Sequence, residues 1–192
     1  METAAQVGGS PATSTVVKWE IDPSHTSVTF GVRHMMVSTV RGEFQKVSGT
    51  VAFDPQRLDT ADISVSVDVA SVNTREPQRD NHLRSPDFFD VEKFPTIEFR
   101  SRGGVKKKGD GLELSGELTI HGVTRVVVLQ VEDVTDEWAD PWGSVRMGAS
   151  AKTKIKRSDF GMVWNTMLEA GGVVVGDDVA LQIDVELQRK KA

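Results

Sequence analysis

The sequence predicts an all-β protein: a single antiparallel β-barrel of eight to nine strands, with one short helix near residues 77–84. Three observations predict it. Apolar and polar residues alternate with a period of two through most of the chain from residue 16 to 190, the pattern of strands with one buried and one solvated face. The connections between these segments are nearly all short, which suits antiparallel neighbours. The phase of the alternation also changes once, which calls for a bulge, and bulges let a sheet bend until it closes on itself. Closure leaves no exposed edge. A two-sheet sandwich fits the alternation nearly as well, and the bulge and the long strands favour the barrel.

Residues 1–15 are mostly Ala, Gly, Ser and Thr, too polar to offset ordering entropy, and are expected to form a disordered tail before a barrel domain at 16–190. Val17, Trp19 and Ile21 form a first short strand ending at the turn Asp22-Pro23-Ser24. Val28, Phe30 and Val32 alternate with Ser27, Thr29 and Arg33 in the second. Val40 and Phe44 keep one phase, whereas Val51 and Phe53 keep the other, so the bulge belongs near Gln45–Lys46. Ile63, Val65, Val67 and Val69 give the clearest strand of the first half.

Next comes the densest cluster of charged, imidazole and aromatic groups, Arg79 to Asp90. Pro77 suits a first helical turn and Pro86 stops the helix just after Ser85. A helix from about Pro77 to Arg84 brings Arg79, His82 and Leu83 together at i, i+3 and i+4. Phe88 and Phe89 supply an apolar plug, so this segment is expected to cover one barrel end beside the way into its interior. Ile97 and Phe99 start a strand that runs into a charged hairpin loop, Lys106 to Gly111. Leu112, Leu114, Leu118 and Ile120 share a face, His121 to Thr124 turn the chain, and Val126 to Val131 return. An acidic loop with Trp138 and Trp142 spans 132–142. Val145, Met147, Ala149 and Ala151 face inward on the next strand; Val179, Leu181, Ile183, Val185 and Leu187 do so on the last. The Gly-rich stretch 164–176 between them reads as a second rim segment.

Composition excludes several classes. The 192 residues carry a net charge of −5, which offers no global field for nucleic acid or an anionic membrane. There is no cysteine, hence no disulfide, thiolate zinc site or thiol catalysis. No stretch approaches the roughly 20 apolar residues of a membrane span. No secretion signal is visible, so a cytoplasmic location is expected.

The four histidines lack H-x-x-x-H or H-x-H spacing, and no metal is expected. Arg79, His82 and Arg84 could face a phosphate or polar head group. The alternative is that Arg79, Asp80, Asp87 and Asp90 form ion pairs that hold the segment. No nucleophile elbow, phosphate loop or dinucleotide fingerprint is present, so no enzyme is expected. Ser24-His25 and the grouping of His82 with Ser85 and Asp87 leave open an enzyme with His82 or His25 as acid/base. Inward residues are mostly Val, Leu, Ile and Ala, with Phe30, Phe44, Phe53 and Phe99 large. Such a set would leave a cavity more easily than fill it, and a fully packed barrel stands beside that reading.

Five separated motifs resemble the YceI-like family of polyisoprenoid-binding, lipocalin-like proteins, in order over about residues 17 to 188. They are Trp19, Ile21, Asp22, His25, Ser27, Phe30, Val32 and His34; the run Arg79 to Asp90 with Phe94-Pro95; Gly116 to Thr124; Arg157, Asp159, Phe160 and Gly161; and Val175, Gly176, Asp177 and Val179. The resemblance implies a lipocalin-like barrel whose apolar interior holds a long isoprenoid chain, a polyprenyl phosphate or quinone, with no catalytic residues and no other cofactor. On that reading Phe30, Val32, Phe44, Val65, Val67, Phe99, Leu118, Met147 and Ala149 line the cavity. Arg79, His82, Arg84, Phe88 and Phe89 then border the head group. The expected activity is binding, carriage or sequestration of such a lipid. A packed stress-response domain without ligand is the contrary case, and homodimerisation stays open.

Overall fold

The computed structural model describes residues 15–54, 56–167 and 171–190, so the predicted tail, Thr15 apart, lies outside the described residues. In chain order the elements are β1 (Val17–Ile21), β2 (Ser27–His34), β3 (Ser38–Phe44), β4 (Val47–Asp54), β5 (Arg57–Asp68), β6 (Val72–Asn73), α1 (Pro77–Arg84), β7 (Thr96–Ser101), β8 (Lys106–Lys108), β9 (Gly111–Ile120), β10 (Val123–Glu132), β11 (Trp138–Ala139), β12 (Ser144–Lys156) and β13 (Val175–Lys190). Every strand pairing is antiparallel. The order β1-β4-β5-β7-β9-β10-β12-β13 returns to β1, a closed barrel of eight strands.

β13 makes the closure. One edge pairs with β12 from Ser144↔Lys190 to Lys156↔Asp178. The other pairs first with β2, then with β1 at Ile21↔Leu187. β1 and β2 are therefore one course along β13, kinked at Asp22–Thr26. The expected bulge at Gln45–Lys46 is a second kink. There β4, paired with β1 and β5, gives way to β3, paired with β2 and β6. The Gln45 N–H reaches the Ser71 carbonyl at 3.2 Å and the Asp68 N–H reaches the Lys46 carbonyl at 3.0 Å, so the bend keeps its backbone groups satisfied. A 3₁₀ turn at Val69–Ser71 bends β5 into β6 in the same way. Three aligned kinks curl β2, β3 and β6 over one end.

That curl leaves the far edge of β6 unpaired, and α1 packs there. Glu76 caps α1 by accepting from the Gln78 N–H, Pro77 occupies its first turn, and Ser85 ends it. The opposite end is filled by Trp19, fully buried and stacked on Phe53 at 6.0 Å.

Two segments differ from expectation. Lys106–Lys108 forms β8 against Gly111–Glu113, so the turn shrinks to Gly109-Asp110. Its three lysines are all exposed, which erases the alternation that would have revealed a strand. Within the acidic segment, Trp138–Ala139 pairs with Arg146 and Val145 as β11. Both residues are exposed, and the pairing is made by the backbone along β12 where β10 has ended.

Candidate binding cavity

Many inward side chains keep accessible surface although they point into the barrel. That surface faces a cavity of about 290 Å³. One water centre needs only ~10–15 Å³, so this is not a packing defect. The cause is the small-residue set seen in the sequence, most marked at the β12–β13 seam, where Ala149 and Ala151 oppose Val185 and Ile183. The polar residues among its lining are Thr26, Ser150 and Arg157.

Phe30, Val32, Phe44, Val65, Val67, Phe99, Leu118, Met147 and Ala149 all border this space. They come from six strands, brought together by closure. Leu83 of α1, Phe88 and Phe89 complete the wall at the curled end, with Phe89 edge-on to Phe44 at 5.7 Å. The Phe pair is set by the chain folding back after α1: Phe89 N–H bonds to the Leu83 carbonyl and Asp90 N–H to that of Ser85.

The polar residues of the rim are otherwise engaged. Arg84 donates from Nε to the Ala70 carbonyl at 2.9 Å and from Nη2 to the Val72 carbonyl at 2.8 Å. Arg79 donates to the Thr74 hydroxyl and carbonyl at 2.8 and 2.9 Å. Both guanidinium groups thus satisfy acceptors along the open edge of β6, where no strand follows, and do not stand free toward the cavity. Of the alternative ion pairs, Arg79 and Asp80 form none, both bonding to Thr74 instead, whereas Asp90 pairs with Lys93 within the segment. His82 Nε2 donates to the Asp87 carboxylate at 2.9 Å, and the ring lies edge-on between Phe88 and Trp164, with centroids 5.0 and 4.7 Å away. Trp164 also packs on Phe88, so the Gly-rich segment meets α1 at this rim.

Arg157 is the functional candidate that inspection of the sequence missed. It sits at 6% exposure in a 3₁₀ turn after β12 and donates to the carbonyls of Gly176, Met162, Trp164 and Val175. Burial lowers its guanidinium from the usual range, against the pull of Asp177. The signal was available: counting in twos from Val145 through Met147, Ala149 and Ala151 arrives at Ile155 and then Arg157.

The histidines are elsewhere. Among the described residues no imidazole lines the cavity. Ser24 Oγ and His25 Nδ1 both bond to Asp22, not to each other, and Ser85 Oγ donates to the His82 carbonyl, so neither grouping forms a Ser–His pair. Asp22, His25 and Glu186 cluster closely enough to hold a cation. Arg146 already occupies that position, donating to Asp22, Glu186 and Asp140. The Ser24 hydroxyl, then Arg146 and His25, hold the Asp22 carboxyl well below the usual carboxylate range; Asp140, then Asp22 and Glu186, raise Arg146.

Comparison with known proteins agrees with this architecture. Residues 19–187 match the family model described as the YceI-like domain. A UPF0312 protein of Vibrio cholerae is 34% identical over 160 residues, covering 82% of this chain and 84% of the relative. The YceI protein of Salmonella newport is 36% identical over 160 residues, covering 82% and 83%. Among solved structures, Campylobacter jejuni YceI superposes with a TM-score of 0.68 at 32% identity, covering 83% of this chain and 90% of that one. Burkholderia cenocepacia BcnA shares the fold at 23% identity, with a TM-score of 0.74 over 86% and 98% of the two chains. A Saccharophagus degradans domain described as polyisoprenoid-binding shares it at 16% identity, with a TM-score of 0.62 over 88% and 97%. A match across nearly the whole barrel, with relatives above 30% identity over four fifths of the chain, makes this protein a member of the YceI-like domain family.

Proposed function

We propose that this chain is a binding protein rather than an enzyme, and that it carries or sequesters a long-chain amphipathic lipid of the isoprenoid class, a polyprenyl phosphate or quinone. One observation carries the reading: an internal cavity whose wall is apolar from strand to strand, interrupted only by Thr26, Ser150 and Arg157. Such a wall has nothing to offer a polar solute. An apolar chain entering it gains about 0.8 kcal/mol per buried methylene before association costs. The description of the Saccharophagus degradans domain supports the isoprenoid class.

Organic extraction of protein purified without added ligand, followed by mass spectrometry, tests this. A stoichiometric isoprenoid lipid, or saturable uptake of added polyprenol or quinone, is the expected result. Absence of both a co-purifying lipid and uptake would overturn the proposal.

A further inference from the structure

The β2–β3 hairpin turns through His34–Val37, closed by the Val37 N–H on the His34 carbonyl at 3.0 Å. Its two central residues, Met35 at φ 49° and Met36 at φ 60°, both lie in the left-handed region. A β-turn with two successive left-handed residues favours Asn-Gly, because a Cβ is strained there. Here the strained positions hold two bulky apolar side chains, with Met36 67% exposed and the following Val37 80% exposed. Strain of this kind persists where position matters more than local stability.

The tip is part of a larger apolar prominence. The Met35 N–H bonds to the Val174 carbonyl at 2.8 Å, and Met36 Cγ lies 3.7 Å from where a Cβ on Gly172 would stand. Exposed Met167 bridges to Val173 beside them. Its root is cavity wall: Val32 lines the space, as does Val175, which pairs with His34. Behind the tip, the outward face of the hairpin carries Arg33 opposite Thr39 and Arg41 opposite Gly31. Arg33 braces the tip by donating to the Met36 carbonyl at 2.8 Å. Neither arginine is ion-paired among the described residues.

We propose that this tip inserts into a phospholipid bilayer bearing anionic headgroups, with Met35, Met36, Val37 and Met167 at acyl-chain level and Arg33 and Arg41 at phosphate level. The proposal rests on the lipid-carrier reading and adds how the lipid reaches the cavity. Apolar side chains leading and unpaired cations one step behind reproduce the order of a bilayer interface, hydrocarbon first and phosphate next. The chain's net charge of −5 opposes an anionic surface, so the attraction has to be local to this face. A lipid leaving the bilayer beside Val32 and Val175 would pass into the barrel without crossing water.

Cosedimentation of the full chain with phosphatidylcholine vesicles, with and without phosphatidylglycerol, tests it. The wild-type protein is expected to bind, more tightly with phosphatidylglycerol. Met35→Asn combined with Met36→Gly installs the favoured turn residues, so it should keep or raise the melting temperature while lowering vesicle partitioning by about tenfold. Arg41→Gln should lower binding to the anionic vesicles by about fivefold and leave that to pure phosphatidylcholine unchanged. Absence of wild-type binding, or wild-type binding by the Asn-Gly variant, overturns the proposal. So does a wild-type dimer that the Asn-Gly variant converts to monomer without any vesicle binding, which would assign the tip to self-association. Uptake of quinone from detergent micelles by the same proteins separates the two readings. Uptake without vesicle binding rejects the docking alone, and vesicle binding without uptake supports docking while rejecting the carrier.

Discussion

Ala149 stands opposite Val185 in the seam that closes the barrel, and both side chains turn into the cavity. With Ala151 opposite Ile183 one step on, the wall at this seam is thin, and the missing volume becomes internal space. The length of β12 and β13 fixes the tube, and two alanines decide that it is not filled.

Ala149→Phe should therefore occupy the cavity. Overfilling a packed core typically destabilises by about 1–3 kcal/mol, whereas here the ring enters existing space and the loss should fall below that range. Thermal unfolding of the lipid-free variant, read beside quinone uptake, checks both halves: near-native stability with uptake abolished.

Arg84→Ala removes two donors from the carbonyls of Ala70 and Val72 at the open edge of β6. A loss of about 1–3 kcal/mol is expected in denaturant unfolding. Arg84→Lys should recover little, since one ammonium cannot span both acceptors as the guanidinium fork does. Lipid uptake by the folded fraction should stay near wild type, because Arg84 does not line the cavity.

Acid should loosen the outer network before the core. Asp22 and Asp140 are held below the usual carboxylate range, Asp22 chiefly by Ser24 and Asp140 chiefly by Arg146. A depressed folded-state pKa contributes stability that is present above the unfolded value, about pH 4, and is lost as pH falls toward the folded value. Wild-type stability should therefore drop steeply below about pH 4. Asp22→Asn should be less stable at neutral pH and show a shallower decline, measured by denaturant midpoints across that window.

Gly116 is where β9 passes under Phe99. A Cβ there would collide with the Phe99 ring and the Arg100 carbonyl. Gly116→Ala should destabilise by about 1–3 kcal/mol as the ring is displaced. Adding Phe99→Leu should restore part of the loss, and a cycle of the two changes measured in urea gives the coupling directly.

Much of this architecture was legible because period-two alternation is the direct imprint of a sheet with one wet face. The strand phases through Val65, Leu118, Met147 and Val185, the kink at Gln45–Lys46 and the helix at Pro77–Arg84 follow from that imprint and from proline chemistry. What stayed hidden lacks burial contrast. β8 is three exposed lysines, and β11 is an exposed Trp-Ala pair. Cation placement was hidden for another reason. Arg79 and Arg84 cluster in sequence as a head-group site would, yet an unpaired edge of β6 accepts from both, and only closure of the sheet shows that edge to exist.

By itself the sequence determined that the chain forms strands, which side chains each strand turns inward, and that these are slim. Local periodicity and side-chain size are properties of neighbouring residues, and nothing distant is needed to read them. The tertiary structure decided that the sheet closes along β12 and β13, that the enclosed space stays hollow, and that Arg157, not the α1 arginines, borders it. Those outcomes depend on how far opposite walls stand apart and on which backbone acceptors are left without a partner, and both are set only when β13 pairs with β12 on one edge and, on the other, with β1 and β2, more than a hundred positions away.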